Sequence, residues 1–414
     1  MALHAPERVV VPPASESGLI AAVGRTYFPI ALVARLPYAM MVVGTLTLVV
    51  AARDSVALGG LTSAMVGLGA ASIGPFIGAA ADRFGQRPVL LGTALASSTV
   101  MASLAAVAYS ATPAVALLAV AFLVGAFAPQ VAPMSRSRLV GAIAGRVAPE
   151  RRSRTFNTTM AYESAADEMV FIVGPFLVGL LGAGLGSWVP AVAAAGLTLV
   201  FVSAFALHPS SRAVQGHRSA GTTPAPAREL LAARLLVVVA GIFGVGLFFG
   251  TTLTSLTAFM AERGEADAAG LVYGVMGIGS AALALGVALF PAGFTLARRW
   301  VAFATLLLLS SAVLPLVGSV AAVAGVLLVV GLGIGPTMVT QYSLGAKRSP
   351  GGRSATVMTV LGSAVILGQS SAAALTGQVA DRWGADVALF LPAAAAAVVL
   401  LAGVANAAIS RREK

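Results

Sequence analysis

Long apolar runs without a single charge decide what this chain can fold into. Gly60 to Ala80 carries no charged residue, and neither does Val89 to Ala132. About 20 consecutive apolar residues in a helix cross the ~30 Å hydrocarbon core of a bilayer. Only helices and closed barrels satisfy their backbone groups there. Such runs recur along the 414 residues, of which 58% are hydrophobic and 10% charged. A water-soluble domain needs far more charge on its surface. The reading is an all-α polytopic membrane protein with about twelve transmembrane helices. They are expected near 27–50, 57–80, 89–109, 112–134, 157–182, 188–207, 233–259, 268–290, 300–317, 319–342, 355–377 and 387–408.

The longest polar interruption, His208 to Arg228, divides these spans six and six and has the Ser, Gly and Pro content of a linker. The expected organisation is a tail (1–26), a six-helix bundle (27–207), a linker (208–232), a second bundle (233–408) and a short tail (409–414). The net charge of +11 would suit a nucleic-acid partner if it were clustered on one face. Here the basic residues sit in short segments between spans, so they read as orientation signals and the partner is the bilayer. With the N-terminus inside, 22 of the 26 Lys and Arg residues fall on inside segments; Arg53, Arg263 and Arg382 fall outside, and Arg35 lies within span 1. The positive-inside rule then puts both termini in the cytoplasm. Lysine occurs only at Lys347 and Lys414 amid abundant Ala, Gly and Val, as a GC-rich bacterial genome would encode, so a bacterial plasma membrane is expected.

Several chemistries are excluded. There is no cysteine, hence no disulfide and no thiolate metal site. His4, His208 and His217 fall in the tail or linker, which leaves no buried histidine relay. Residues 1–18 lack the apolar segment of a cleavable signal peptide. No G-x-x-x-x-G-K-[ST] loop is present, so ATP does not drive this chain, and no cofactor, metal or catalytic residue is expected. Gly331-Leu332-Gly333-Ile334-Gly335-Pro336 lies in an apolar span and reads as close helix packing. Gln130, Gln341, Tyr342 and Gln369 either line a cavity or bridge helices.

An internal repeat accompanies the six-and-six division. Gly60-Leu61, Gly67, Gly69 and Ala71 of span 2 recur as Gly270-Leu271, Gly277, Gly279 and Ala281 of span 8, at a constant offset of 210. Two pseudo-symmetric six-helix bundles require such a correspondence.

Span 5 carries Glu163, Asp167 and Glu168. Glu163 and Asp167 are four apart and share a helix face, while Glu168 lies about 140° round from Glu163. With a helix start near Asn157 the carboxyls sit roughly 9 to 17 Å along it, and Arg35 sits roughly 12 Å along span 1. An unpaired charge at the centre of a membrane helix costs about 2.5–3.5 kcal/mol. Arg35 is therefore expected to pair with Asp167 or Glu168, leaving at least one carboxyl facing water as a proton carrier. The corresponding depth of span 11 has no acid and offers Gln369. The alternative is a wet flank where the acids only anchor loops. Pro37 inside span 1, and Gly174-Pro175 inside span 5, are expected to bend or break their helices.

A charged turn separates spans 2 and 3. The pattern G-x-x-x-D-R-x-G-x-R at Gly78, Asp82, Arg83, Gly85 and Arg87 resembles the signature loop between helices 2 and 3 of the major facilitator superfamily. It departs from that pattern at Ala80 and Gln86. The resemblance implies two bundles rocking about a central site, with these five residues and Arg136 or Arg138 forming a conformational gate. It further implies that Arg136 or Arg138 pairs with Asp82 when the inner gate is shut, within the basic loop Arg136 to Arg154. A second G-x-x-x-D-R-x-G at Gly377 to Gly384 falls on the outer side and reads as a helix end and turn. Gly174-Pro175 looks like a reduced form of the superfamily's antiporter motif, with Val170 in place of its leading glycine. Arg35-Leu36-Pro37 and the D-E-x-x-F-x-x-G-P stretch at Asp167 to Pro175 are similar to actinobacterial efflux members. The resemblance thus implies proton-coupled export of a drug or secondary metabolite by a monomer. The alternatives are proton-coupled uptake of a sugar or other metabolite, and a non-transporting membrane sensor or scaffold.

Overall fold

A computed structural model describes residues 18–211, 225–264, 269–291 and 293–412. Among them are twelve helices long and apolar enough to cross a membrane, and no strand. Spans 1 to 6 are Tyr27–Arg53, Leu58–Phe84, Gln86–Ala108, Ala114–Arg146, Pro149–Leu185 and Val189–Leu207. Spans 7 to 12 are Ala233–Ala261, Ala269–Gly286, Leu296–Leu316, Val320–Arg348, Ser354–Trp383 and Ala385–Arg411. Large apolar side chains such as Phe76, Phe176, Leu271 and Leu285 point outward and are exposed. That is the surface a helix presents to lipid, where burial in water-soluble terms has no meaning.

The helices obey local signals. Ser55, Thr295 and Ser319 cap helix starts, each accepting a backbone N–H three residues on. Gly85 (φ 95°) and Gly384 (φ 86°) each form a turn between consecutive helices, in a conformation that a side chain would strain. Both D-R-x-G stretches therefore encode the same local geometry, a helix end and a one-residue turn. The basic stretch from Arg136 to Arg154 is not the loop the sequence suggests. It is the end of helix Val131–Arg146 and the start of helix Pro149–Leu185, joined at Val147-Ala148. Ala and Arg favour helix, and Arg136 and Arg138 find polar partners inside the protein, so the helices outrun the apolar runs. The tail also contains structure: helix Leu19–Val23 packs on this part of span 4, with Arg146 donating to the Ala22 carbonyl at 2.7 Å. The expected linker is described only at its ends, with residues 212–224 outside the described set. Its distal end folds as the 3-10 turn Ala227–Leu231, and Ala225 donates to the Gly351 carbonyl at 2.9 Å.

Each half carries a large core of its own, and a smaller cluster in which Phe156 and Met160 meet Ala284 and Val339 joins the two. One cluster, around Phe248, Phe259 and Trp300, draws only on residues 235–402. Another, around Met40, Leu104 and Leu117, draws only on residues 40–195. The halves meet where span 2 packs on span 11 and span 5 on spans 8 and 10. Within each half the repeated glycines make one contact twice. A Cβ at Gly69 would overlap the Phe122 carbonyl of span 4, and one at Gly279 would overlap the Leu328 carbonyl of span 10. In return, Gly125 abuts the Val66 carbonyl and Gly331 abuts that of Met276, and residues 66 and 276 are again 210 apart. Small residues let membrane helices approach to backbone contact. Gly333 and Gly335 do the same against Leu307 and Ser280, so the glycine run of span 10 serves packing.

These contacts generate a matched test. Gly125→Ala forces a methyl into the Val66 backbone, and overpacking of this kind costs about 1–3 kcal/mol. Nothing lies within 4 Å of a Cβ at Gly60 or Gly270. Thermal melting of the purified protein should show Gly125→Ala clearly destabilised and Gly60→Ala and Gly270→Ala unchanged.

Candidate functional site

Span 1 breaks where its charge sits. Pro37 has no N–H to give to residue 33, so helix Tyr27–Val33 ends and helix Leu36–Arg53 begins, with Arg35 in the gap. Span 5 is by contrast one continuous helix from Pro149 to Leu185, passing through Pro175. Gly174 serves a different end there, lying so close to Ala39 and Met40 of span 1 that a Cβ would sit 2.6 Å from the Ala39 methyl. Because the helix starts at Pro149 and not near Asn157, Glu163 and Asp167 lie about 21 and 27 Å along it. They are mid-helix residues.

The arginine gap and the carboxyl face meet. Arg35 Nη2 lies 2.5 Å from Glu163 Oε2, and its Nη1 lies 3.0 Å from Asp167 Oδ1. Asp167 Oδ2 takes a second guanidinium, Arg136 Nη2 at 2.5 Å. The other Glu163 oxygen accepts from the Ser135 hydroxyl at 3.0 Å, which accepts in turn from Tyr27 at 2.7 Å. The side chains of Arg35, Arg136 and Glu163 are 3%, 2% and 0% exposed, whereas that of Asp167 is 19% exposed. The expected pair is therefore a four-charge network, with Glu163 as the buried acid and Asp167 as the one that retains access. Glu168 lies on the same helix, and its side chain is outside the described set. Gln369 is half-buried on span 11 and forms none of these bonds. Arg136 also stacks on the ring of Tyr342 at 4.0 Å, which carries the network across to span 10 of the other half.

The gate differs from expectation. Neither Arg136 nor Arg138 is the partner of Asp82. Arg136 is held by Asp167, and Arg138 donates to Gln86 Oε1 (3.1 Å), to the Phe205 carbonyl (2.9 Å) and to Ser210 (3.2 Å). Asp82 instead caps span 11. It accepts from the backbone N–H groups of Ala355 (3.0 Å) and Thr356 (2.6 Å) and from the Thr356 hydroxyl (2.6 Å). The start of a helix exposes unpaired N–H groups and a partial positive charge, so a carboxylate there has no need of an arginine. Gly78, one turn earlier, lets span 2 come this close, since a Cβ would overlap Thr359 and crowd the Ala355 carbonyl. Arg83 and Arg87 are exposed, and Arg83 lies over the Phe84 ring. His208 is not a free linker residue either. It is buried, bonded to Thr26 at 3.2 Å, and accepts the Ser210 N–H at Nδ1. Burial, and then the nearby Arg138, pull its pKa below the ordinary histidine value.

Tyr27, Ser135 and Gln86 escaped the sequence reading as parts of these networks. Ser135 sits beside Arg136 but shows nothing to distinguish it from other span serines. Gln86 was visible only as a departure from a basic residue, and it is the acceptor that Arg138 uses.

Two outcomes follow from the geometry. Arg35→Ala strands Glu163, and removing one partner of a buried pair costs about 3–5 kcal/mol. Its melting temperature should fall sharply, and adding Glu163→Gln should recover part of the loss; an Arg35→Ala protein that melts like wild type would refute the pairing. Asp82→Ala removes three bonds to a charged acceptor, each worth about 1.5–3 kcal/mol. Spin labels on cysteines introduced at the starts of spans 3 and 11 should then report a longer distance population, against a background that has no native cysteine.

The comparisons with known proteins agree with this architecture. The sequence model of the Major Facilitator Superfamily matches residues 27–373. The structure resembles that of the human organic anion transporter MFSD10 (TETRAN), with a TM-score of 0.69 and 17% identity over 95% of this chain and 100% of that one. It also resembles the E. coli fucose:proton symporter FucP (TM-score 0.64, 15% identity, 92% of this chain and 99% of that one). A bacterial homologue of the iron transporter ferroportin in its outward-facing state gives a TM-score of 0.69 at 12% identity, over 95% of this chain and 100% of that one. No curated protein sequence matches. These likenesses concern the fold, and the family match spans most of the sequence: the chain belongs to the major facilitator superfamily.

Proposed function

We propose that this protein is a proton-coupled secondary transporter that moves a small organic compound across a bacterial plasma membrane by alternating access. The observation that carries the reading is Asp167, a part-exposed carboxylate clamped by Arg35 and Arg136 in the middle of a membrane helix. Ionised, it ties span 5 to spans 1 and 4. Protonated, it keeps at most a weak neutral bond to either arginine, and the tie loosens. Since Arg136 also lies against Tyr342, a change at Asp167 reaches the contact between the halves. Asp82 closes one end of that contact by holding the start of span 11. By the positive-inside reading this is the cytoplasmic end, so the described state is shut toward the cytoplasm. Release of Asp82 and rocking of the halves would open that side.

Export of a drug or secondary metabolite is the direction suggested by the likeness of Asp167 to Pro175 to efflux members. One observation favours uptake. Both described carboxylates of the network are already matched by arginines, so among the described residues the network offers a cationic drug no spare negative charge to contest with protons. The fucose:proton symporter named above takes protons and substrate the same way, and this chain shares its fold.

Flux in proteoliposomes tests the reading, with an imposed pH gradient and a pooled panel of metabolites and drugs. Wild type should accumulate at least one compound against its gradient, in a direction set by the sign of the pH step. Asp167→Asn should lose that accumulation by at least about tenfold while keeping downhill exchange, because an amide resembles the protonated acid. Flux that ignores the gradient would overturn proton coupling. Absence of both flux and proton movement would favour the sensor or scaffold.

A further inference from the structure

Resting on the proton-coupled reading, the network also specifies what kind of substrate can enter it. With Glu163 and Asp167 ionised, two negative charges balance Arg35 and Arg136. Of the four, only Asp167 has appreciable exposure, so a proton arriving from water meets it first. Among the described residues, the groups that face Asp167 are Arg35 from span 1, Arg136 from span 4, Tyr342 from span 10, and Tyr162 and Glu163 from its own helix. Spans 6 and 8 also pack on span 5 and carry no Asp, Glu, Lys, Arg or His between 189 and 207 or between 269 and 286.

Arg136 is the member left short when Asp167 is neutralised. Its only hydrogen bond among the described residues goes to Asp167 Oδ2. Its Nε is buried with no acceptor, as is that of Arg35. Its flat face is already covered by Tyr342, which fixes the plane of the guanidinium. Arg35 keeps Glu163 whatever Asp167 does. A buried guanidinium that has lost its counter-ion is strongly unfavourable, and its planar fork of donors is shaped for a carboxylate. One proton on Asp167 leaves the network with one excess positive charge, which a monoanion cancels.

We propose that the transported compound is an organic monocarboxylate, bound through its carboxylate by Arg136 once Asp167 has taken up a proton. Proton and anion then bind together and move in the same direction as an electroneutral pair. The carboxylate replaces Asp167 on Arg136, and the proton stays on the Asp167 carboxyl until both leave. Under an inward proton gradient this arrangement drives uptake. A cationic compound is refused by two arginines, and a neutral one leaves the excess charge uncancelled.

The test uses the full-length protein in nanodiscs, with benzoate and hexanoate as probes and benzamide and benzylamine as uncharged and cationic counterparts. Calorimetry across a series from about pH 8 to about pH 5 should show carboxylate affinity rising by about tenfold per unit of acidification, because each anion carries one proton with it. A dilute pH indicator should register one proton taken up per carboxylate bound. Asp167→Asn should bind both carboxylates at the alkaline end, where wild type binds weakly, and with no pH dependence. Arg136→Gln should weaken them by at least about tenfold. Because Arg136→Gln could also unfold the protein, the gain of alkaline binding in Asp167→Asn is the decisive arm. Neither carboxylate binding to wild type or to Asp167→Asn at any pH would overturn the proposal, as would benzylamine or benzamide binding equally well. In that case pH-driven flux that is lost in Asp167→Asn would still leave proton coupling standing. Carboxylate binding without proton uptake, and indifferent to Asp167→Asn, would overturn coupling and joint binding together.

Discussion

Everything distinctive in this protein depends on cancelling charge where water is scarce. Four ionisable side chains meet between spans 1, 4 and 5, and none can be removed singly without leaving another exposed to a low dielectric. The fold is arranged to bring them together. A proline opens span 1 at Arg35, a long helical extension carries Arg136 inward from span 4, and span 5 runs unbroken past both carboxyls. Glu163 is fully shielded and bonded on both oxygens, so it acts as the fixed counter-charge of Arg35. Asp167 shares its two oxygens between two cations and keeps contact with solvent. The difference between the two acids is a difference in wiring and in exposure.

Around that network the halves are stiff. Reciprocal glycine contacts join span 2 to span 4, and span 8 to span 10, at backbone distance, which leaves little room for either pair to slide. The halves meet on other surfaces, where span 2 faces span 11 and span 5 faces spans 8 and 10. Arg136, which Asp167 holds, and Asp82 both touch those surfaces, the one at Tyr342 and the other at the start of span 11. The described state has one of them bolted.

The number, order and approximate extent of the spans were legible because hydropathy is a strong and local signal. So were the repeat and the turn at Gly85, which rest on residues whose geometry admits few alternatives. The meeting of Arg35 with span 5 was legible from charge economy alone, since an arginine in a membrane helix must find an acid. Asp167 was one of the two acids expected and does bind Arg35, whereas the buried partner Glu163 and the full extent of span 5 were missed. The true start at Pro149 lies eight residues before Asn157, where apolar content first rises. The partner of Asp82 was missed for a related reason. Reading side chains against side chains finds acids and bases, and here the partner is the bare start of a helix. Residues such as Ser135 and Tyr27 matter by position only, and no pattern in the chain marks them.

That last partnership has a consequence for how the protein can change over evolutionary time. Of the hydrogen bonds described between Asp82 and the start of span 11, two come from main-chain groups, which nearly every residue type supplies alike. Drift at positions 355 and 356 therefore leaves most of the closure intact, short of a proline, while drift at 82 abolishes it. Selection on the bolt falls almost wholly on one half of the molecule, and the second half is free to diversify its sequence around a contact it makes simply by beginning a helix there.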